Sequence, residues 1–483
     1  MKSVYALLFL LLLPLGAIAD AQKYAAFDTY LTAALENHGV VGASVALIHG
    51  GEVTHLTAAG RADAQALMRP QTVMQVASIS KPVAAWAVMT AVEDGVLDLD
   101  TPVATYLTRW QLPDSDFDAS GVTLRRLLSH TAGLSLGGYP GFPPEVERPT
   151  VTESLAGDTN GAGAVFLQST PGTEWSYSGG GYTLIQLIIE EATGQAFADY
   201  ARERVLTPLG MSTSDYQPSA ELLARAATAY DSHGKRVPSY RFTAQAAAAL
   251  HTTAEDLGRF VVANLGEQTV LSPASVELLH TAVPESGGWY GLGFVAQEDG
   301  DIVWHNGGNI GWRARLSLSP SADAGIVVLT NGNNGMHLIQ DVLCFWSESF
   351  EVPAYATDCA DAQAVAAEQA GQARIVIAVF LVLLALAFAV LAWRLRRDDV
   401  AWQLPPLMSL RALGASAALA ASGFLWLAWN TSIVVQAVSG FPHTYGRDLA
   451  PTAFWPLHAL TLALLLVLGL FAFTRKTPRP SST

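Results

Sequence analysis

The two ends of this chain carry long apolar runs. Three runs near the C-terminus, 375–393, 413–429 and 454–473, contain no Asp, Glu, Lys or Arg. Each is close to the ~20 residues that cross a bilayer as a helix. At the other end, Lys2 precedes an apolar run over 4–15 and then Ala17-Ile18-Ala19. That order of charge, apolar core and small residues is the pattern of a secretory signal. These runs explain a hydrophobic content of 51%, which is high for a chain that lives wholly in water.

The expected organisation follows: a signal peptide over 1–19, a globular domain over 23–352, a linker over 353–373, a three-helix membrane region over 374–474 and a tail over 475–483. Arg394, Arg396, Arg397 and Arg411 flank the first connection, and Arg475, Lys476 and Arg479 follow the last run. Positive charge of this kind marks the cytoplasmic side. The connection over 439–451 balances Arg447 against Asp448, so it is expected to face outward with the globular domain. The reading is a protein of the bacterial inner (cell) membrane, with its domain on the periplasmic or extracellular side. Cys344 and Cys359 then lie outside the cytoplasm, where one disulfide or two inert thiols fit equally well.

A formal net charge of −15 argues against nucleic acid as a partner, because phosphate binding needs clustered Lys and Arg. No metal-spaced Cys/His cluster, His-Glu-x-x-His or phosphate-binding Gly-x4-Gly-Lys loop occurs, so no metal or cofactor is expected. A small-molecule or peptide substrate remains.

Within the domain, β-prone stretches cluster at both ends, at 43–48 and 52–58 and again at 291–296, 302–305, 314–319 and 325–330. His49-Gly50-Gly51 reads as the turn of a hairpin. Between these groups, 82–93, 124–128, 182–193, 197–206 and 254–265 carry apolar residues at helical spacing. An α/β fold with a sheet built from both ends of the domain and a helical middle is expected.

Ala77-Ser78-Ile79-Ser80-Lys81-Pro82 contains Ser-x-x-Lys immediately before a helical run. That spacing puts Ser78 and Lys81 on one helix face, with the amine in reach of the hydroxyl. A helix N-terminus beside Ser78 also favours negative charge on an attacked carbonyl. The chain has five lysines, and within the globular domain Lys81 alone adjoins a strongly apolar stretch, where desolvation lowers an amine's pKa. Two rival serines exist. Ser232-His233-Gly234-Lys235 repeats the spacing, but Asp231 and Pro238 mark a polar turn with no helix. Gly133-Leu134-Ser135-Leu136-Gly137 fits the Gly-x-Ser-x-Gly elbow of α/β-hydrolase esterases, which needs a strand before it and a helix after it. Here a helical segment precedes it and Gly138-Tyr139-Pro140-Gly141 follows.

Ser78-Ile79-Ser80-Lys81, Tyr177-Ser178-Gly179 and His305-Asn306-Gly307 resemble the three ordered motifs of the β-lactamase and penicillin-binding-protein superfamily, in the branch near class C β-lactamases. Framework stretches 95–100, 127–134 and 208–211 resemble the same branch. The resemblance implies a β-lactamase/transpeptidase-like fold: an antiparallel sheet flanked by helices, with a helical subdomain. It implies an acyl-enzyme on Ser78, with Tyr177 as base and acid beside Lys81; which of the two holds the base role stays open. It also implies an oxyanion site between the Ser78 and Gly308 amides, with Gly307 letting the substrate approach closely.

Two departures from the family pattern bear on substrate. His305 stands where many relatives carry lysine, and is expected to titrate near pH ~6.5. Gly179 stands where relatives carry Asn, which weakens the case for efficient β-lactam hydrolysis. Arg313 and Arg315 alternate along the next strand and are candidates to pair with a substrate carboxylate. The expected activity is serine hydrolysis of amides or esters of carboxypeptidase, esterase or β-lactamase type; a penicillin-sensor-like domain that acylates with little turnover is the alternative.

Overall fold

Continuous apolar stretches from both ends of the domain form its centre, buried on both faces. The computed structural model describes residues 15–266, 268–297, 301–355 and 359, and beyond them 385, 389, 400–402 and 474–476. The chain divides into two units, Met1–Cys359 and Ala360–Thr483.

In the first unit a six-stranded antiparallel sheet has the order β2-β1-β6-β5-β4-β3. Its strands are β1 (Gly42–His49), β2 (Glu52–Gly60), β3 (Val295–Ala296), β4 (Val303–Asn309), β5 (Trp312–Ser319) and β6 (Ala324–Thr330). β1 pairs with β6, Ala43 opposite Thr330 and Ile48 opposite Gly325, so the two ends of the domain meet at the sheet's centre. Gly50 and Gly51 take positive φ in the β1–β2 turn, the backbone a two-residue hairpin needs. The expected strand over 291–296 is cut to two residues. Gly293 takes φ +90, and a Cβ on Gly291 would lie 2.4 Å from the Leu279 carbonyl oxygen.

Both faces of the sheet are covered. Ala43, Val45 and Leu47 of β1 pack on one side with Phe27, Leu31 and Trp346. Those residues belong to α1 (Leu15–His38) and α7 (Gly335–Ser349). Ala46 and Ile48 pack on the other side, in the cluster that holds α2 (Ser80–Glu93). The remaining helices that bear on the site are α3 (Leu124–Leu128), α4 (Gly179–Thr193), α5 (Gln245–Ala248) and α6 (Ala254–Leu265). Every residue of α2 from Ser80 to Ala91 is buried, as expected of a helix apolar all round at the centre of a fold.

At both ends of the domain an element runs past an expected boundary. α1 runs through the expected cleavage point near Asp20. At the other end the domain continues past 352: Tyr355 is buried, its hydroxyl donating to the Val303 and Leu318 carbonyls. Cys359 is joined to Cys344 of α7 by a disulfide. The expected linker over 353–373 therefore begins later, because Val352 and Tyr355 fill the space beneath Trp346.

In the second unit, Val400–Trp402 pairs antiparallel with Thr474–Lys476. No described helix is long and apolar enough to cross a membrane, and the expected spans over 375–393, 413–429 and 454–473 lie outside the described residues apart from positions 385 and 389.

Candidate active site

Ser78 is the one residue between Thr72 and Ala91 that is not buried. The local backbone explains its presentation. A 3-10 turn over Ala77–Ile79 precedes α2, and Ala77 holds φ +48, a left-handed conformation that a residue with a Cβ adopts at a cost. The expected helix N-terminus at Ser78 is thus a tighter turn that leads into the helix two residues later. β4 lies against this turn: a Cβ on Gly307 would stand 2.0 Å from the Val76 carbonyl oxygen. Glycine is required here by a close backbone approach.

Lys81 is 1% exposed. Its Nζ lies 3.0 Å from Ser78 Oγ and 2.7 Å from the Ala247 carbonyl oxygen of α5. The amine also sits over the rings of Tyr177 and Tyr182, 4.9 and 5.5 Å from their centroids. No carboxylate among the described residues pairs with it. Burial lowers its pKa to about 7, because the charged form is stripped of water.

Tyr177 completes the cluster, its hydroxyl 2.9 Å from Ser78 Oγ. It is held from behind by a capped helix start. Ser178 caps α4, its Oγ accepting from the Gly181 amide and donating to the Ser135 carbonyl. The Gly179 and Gly180 amides donate to the Gly137 and Leu136 carbonyls. The 135–137 segment, read from sequence as a rival nucleophile elbow, is therefore the cradle of Tyr177. The Ser135 hydroxyl is spent on structure, donating to the Ala164 carbonyl and accepting from the Phe166 amide. A side chain on Gly179 would meet the Gly137 oxygen at 3.1 Å and Tyr139 at 3.4 Å. Gly179 is thus roofed by this loop. Ser232 and Lys235 lie in the exposed turn between Ala229–Tyr230 and Arg236–Val237, away from any helix.

His130 went unrecognised as a site residue in the sequence. Its Nδ1 accepts the Ser178 amide proton at 3.1 Å, which fixes the ring as the Nε2–H tautomer. The ring is 4.3 Å from that of Tyr177 and 5.0 Å from that of Tyr290. Burial, then the charge on Lys81, depresses its pKa well below the usual imidazole range. His130 is a neutral positioning residue for Tyr177, and its φ of +59 is the one local oddity that marks it.

His305 reaches the cluster through Tyr290. Its Nδ1 donates to the Asn306 carbonyl at 2.6 Å, and Nε2 lies 3.2 Å from the Tyr290 hydroxyl. Burial above all, then the charge on Lys81, lowers its pKa to about 3. The expectation of a group titrating near 6.5 is corrected: His305 is neutral at ordinary pH.

Arg313 and Arg315 are not brought to the nucleophile. The register pairs Gly307 with Ala314 and Gly308 with Arg313, so the arginines project from the face opposite Gly307. Arg315 stacks 3.6 Å from the Trp304 ring centroid and donates to Ser317 and Asn306. Arg313 donates to the Asn309 and Trp312 carbonyls. The period of two aims both at the α7 layer, which removes them as carboxylate receptors.

Comparison with known proteins matches this architecture. The Beta-lactamase family model matches residues 27–341. Protein flp of Staphylococcus aureus (strain MRSA252) is 24% identical over 328 residues, covering 65% of this chain and 64% of flp; the chain thus spans just under two thirds of that relative's length. Esterase EstB of Burkholderia gladioli is 31% identical over 208 residues, 41% of this chain and 53% of EstB. The D-amino acid amidase of Ochrobactrum anthropi SV3 shares the fold, with a TM-score of 0.57 and 21% identity over 69% of this chain and 99% of its own. A sheet closed by both termini, a Ser-x-x-Lys turn packed on its edge and a tyrosine facing the serine agree with that match, and the chain belongs to the Beta-lactamase family.

Proposed function

We propose that this chain is an exported, membrane-anchored hydrolase that cleaves small ester or amide substrates through an acyl-enzyme on Ser78. The observation that carries the reading is the double contact on Ser78 Oγ, 3.0 Å from Lys81 Nζ and 2.9 Å from the Tyr177 hydroxyl.

The proton bookkeeping is self-consistent when Lys81 is a neutral amine, as its pKa of about 7 allows. One N–H then donates to the Ala247 carbonyl, and the lone pair faces the Ser78 hydroxyl proton. Tyr177 donates its own proton to Ser78 Oγ. Ser78 Oγ attacks the substrate carbonyl, its proton passes to Lys81, and the oxyanion is received by the Ser78 and Gly308 amides. Collapse breaks the bond to the leaving group, which takes the Tyr177 proton; Lys81 restores it. Water then attacks the acyl carbon and returns a proton to Ser78.

Lys81 serves as the base in this scheme and Tyr177 as the acid, in agreement with a phenol whose reference pKa of ~10 makes it a poor base at neutral pH. Export is supported by the Cys344–Cys359 disulfide, since such bonds persist in oxidising compartments. Anchoring is supported by the three charge-free runs. Pairing of 400–402 with 474–476 brings together the two segments that this topology assigns to the cytoplasmic side.

Exposure of the purified protein to a fluorophosphonate probe tests the nucleophile. Ser78→Ala is expected to abolish labelling, while Ser135→Ala and Ser232→Ala retain it. Labelling that survives Ser78→Ala overturns the assignment. A label that forms but an ester-derived acyl group that never leaves identifies a sensor rather than a hydrolase.

A further inference from the structure

Beside Tyr177 lies an aromatic surface that the acid–base cluster does not use. Trp175 is two residues before Tyr177, their ring centroids 6.2 Å apart. Trp289 packs tilted against Trp175, centroids 4.3 Å apart with planes at 53°, and is itself 39% exposed. Two successive glycines in the left-handed region, Gly287 at φ +77 and Gly288 at φ +80, turn the chain so that the Trp289 indole folds back over Gly287. The turn is fixed: Ser286 Oγ accepts from the Trp289 and Tyr290 amides, and Tyr290 is anchored next to His305. Trp289 is thus a large apolar side chain held in place and partly open to the surface, as in a binding platform.

We propose that Trp175 and Trp289 form the subsite for the leaving group, and that the leaving group it takes is an aromatic alcohol or amine without a carboxylate. The inference rests on the reading of Ser78 as the nucleophile. The placement follows from the chemistry: Tyr177 gives its proton to the departing atom, so the departing group lies on the side of Tyr177, where the two indoles are. The demand for a group without negative charge follows from the surroundings. His305 has both ring nitrogens engaged as a neutral imidazole, by the Asn306 carbonyl and the Tyr290 hydroxyl. His130 is likewise held neutral by the Ser178 amide, and Arg313 and Arg315 lie on the other face of the sheet. A carboxylate on the leaving group would meet indole faces, whose π clouds repel it.

The test uses the full chain in detergent and two esters of one acid, benzyl butyrate and ethyl butyrate, whose alcohols leave with similar ease. Acylation of Ser78 is followed for each, with fluorophosphonate labelling as the independent check on the nucleophile. The wild type is expected to prefer the benzyl ester. Trp289→Ala is expected to lower the benzyl-to-ethyl ratio of acylation rates about tenfold, the size of effect that covering part of an indole gives, and Trp289→Phe to keep most of it. 4-Carboxybenzyl butyrate is expected to acylate more slowly than benzyl butyrate. A ratio unchanged by both substitutions, acylation by neither ester in protein that takes the fluorophosphonate, or faster reaction of the carboxylated ester overturns the subsite. Absence of fluorophosphonate labelling instead overturns the nucleophile assignment.

Discussion

Lys81 is enclosed by Tyr177, Tyr182 and the Ala247 carbonyl, with no carboxylate beside it among the described residues, and that enclosure sets the sign of the pH dependence. Only the neutral amine accepts the Ser78 proton, and its fraction grows as pH rises through about 7. The acylation rate constant is therefore expected to climb between pH 6 and 8 and then level off. His305, with a pKa near 3, adds no limb of its own in that range. Lys81→Arg keeps a cation whose pKa exceeds ~12 and cannot act as a base, and is expected to slow acylation by about 10²–10⁴-fold, the usual share of general base catalysis. Stopped-flow acylation across this pH range checks both; a flat profile would remove Lys81 from the base role.

At the level of elements, β4 and the turn that carries Ser78 act as one piece. Gly307 brings the strand so close to Val76 that a methyl group would sit 2.0 Å from a backbone oxygen, and neither backbone can swing aside as a side chain would. Gly307→Ala is expected to push the turn away from β4 and slow acylation about 100-fold, the penalty for a displacement of roughly 1 Å in a reacting group. The protein should still unfold cooperatively, because the two apolar layers of the sheet are untouched. Acylation kinetics together with a thermal melt separate the two effects. β5 carries the complementary lesson: its odd positions, Arg313, Arg315, Ser317 and Ser319, make a buried polar stripe on the α7 side, while Trp312, Ala314, Leu316 and Leu318 serve the core on the side of α2.

For the whole molecule, the open matter is attachment. If the runs over 375–393, 413–429 and 454–473 are spans, the protein is expected to resist alkaline carbonate extraction from membranes. Deletion of 374–483 is expected to release a domain that still takes the fluorophosphonate, because the unit through Cys359 holds the complete cluster. Extraction of the full chain by carbonate would overturn the anchor. A protease added to intact spheroplasts should cut the domain and spare a tag at the C-terminus.

The helices at Leu124–Leu128 and Ala254–Leu265, the β1–β2 hairpin and the pairing of Ser78 with Lys81 were legible in the amino-acid sequence, because local spacing and turn chemistry fix them. The family resemblance carried by the three motifs put Tyr177 with that pair. Three things depended on the tertiary structure. The charge on His305 followed from burial beside Lys81 and Tyr290, a property of its surroundings and not of its neighbours in the chain. The direction of Arg313 and Arg315 followed from strand register, in which a shift of one residue exchanges the faces. The roles of His130, Ala247 and the Trp175–Trp289 pair arose from contacts between segments far apart in the chain, 166 residues apart for Lys81 and Ala247. Periodicity sees near neighbours; a catalytic cavity is made of distant ones.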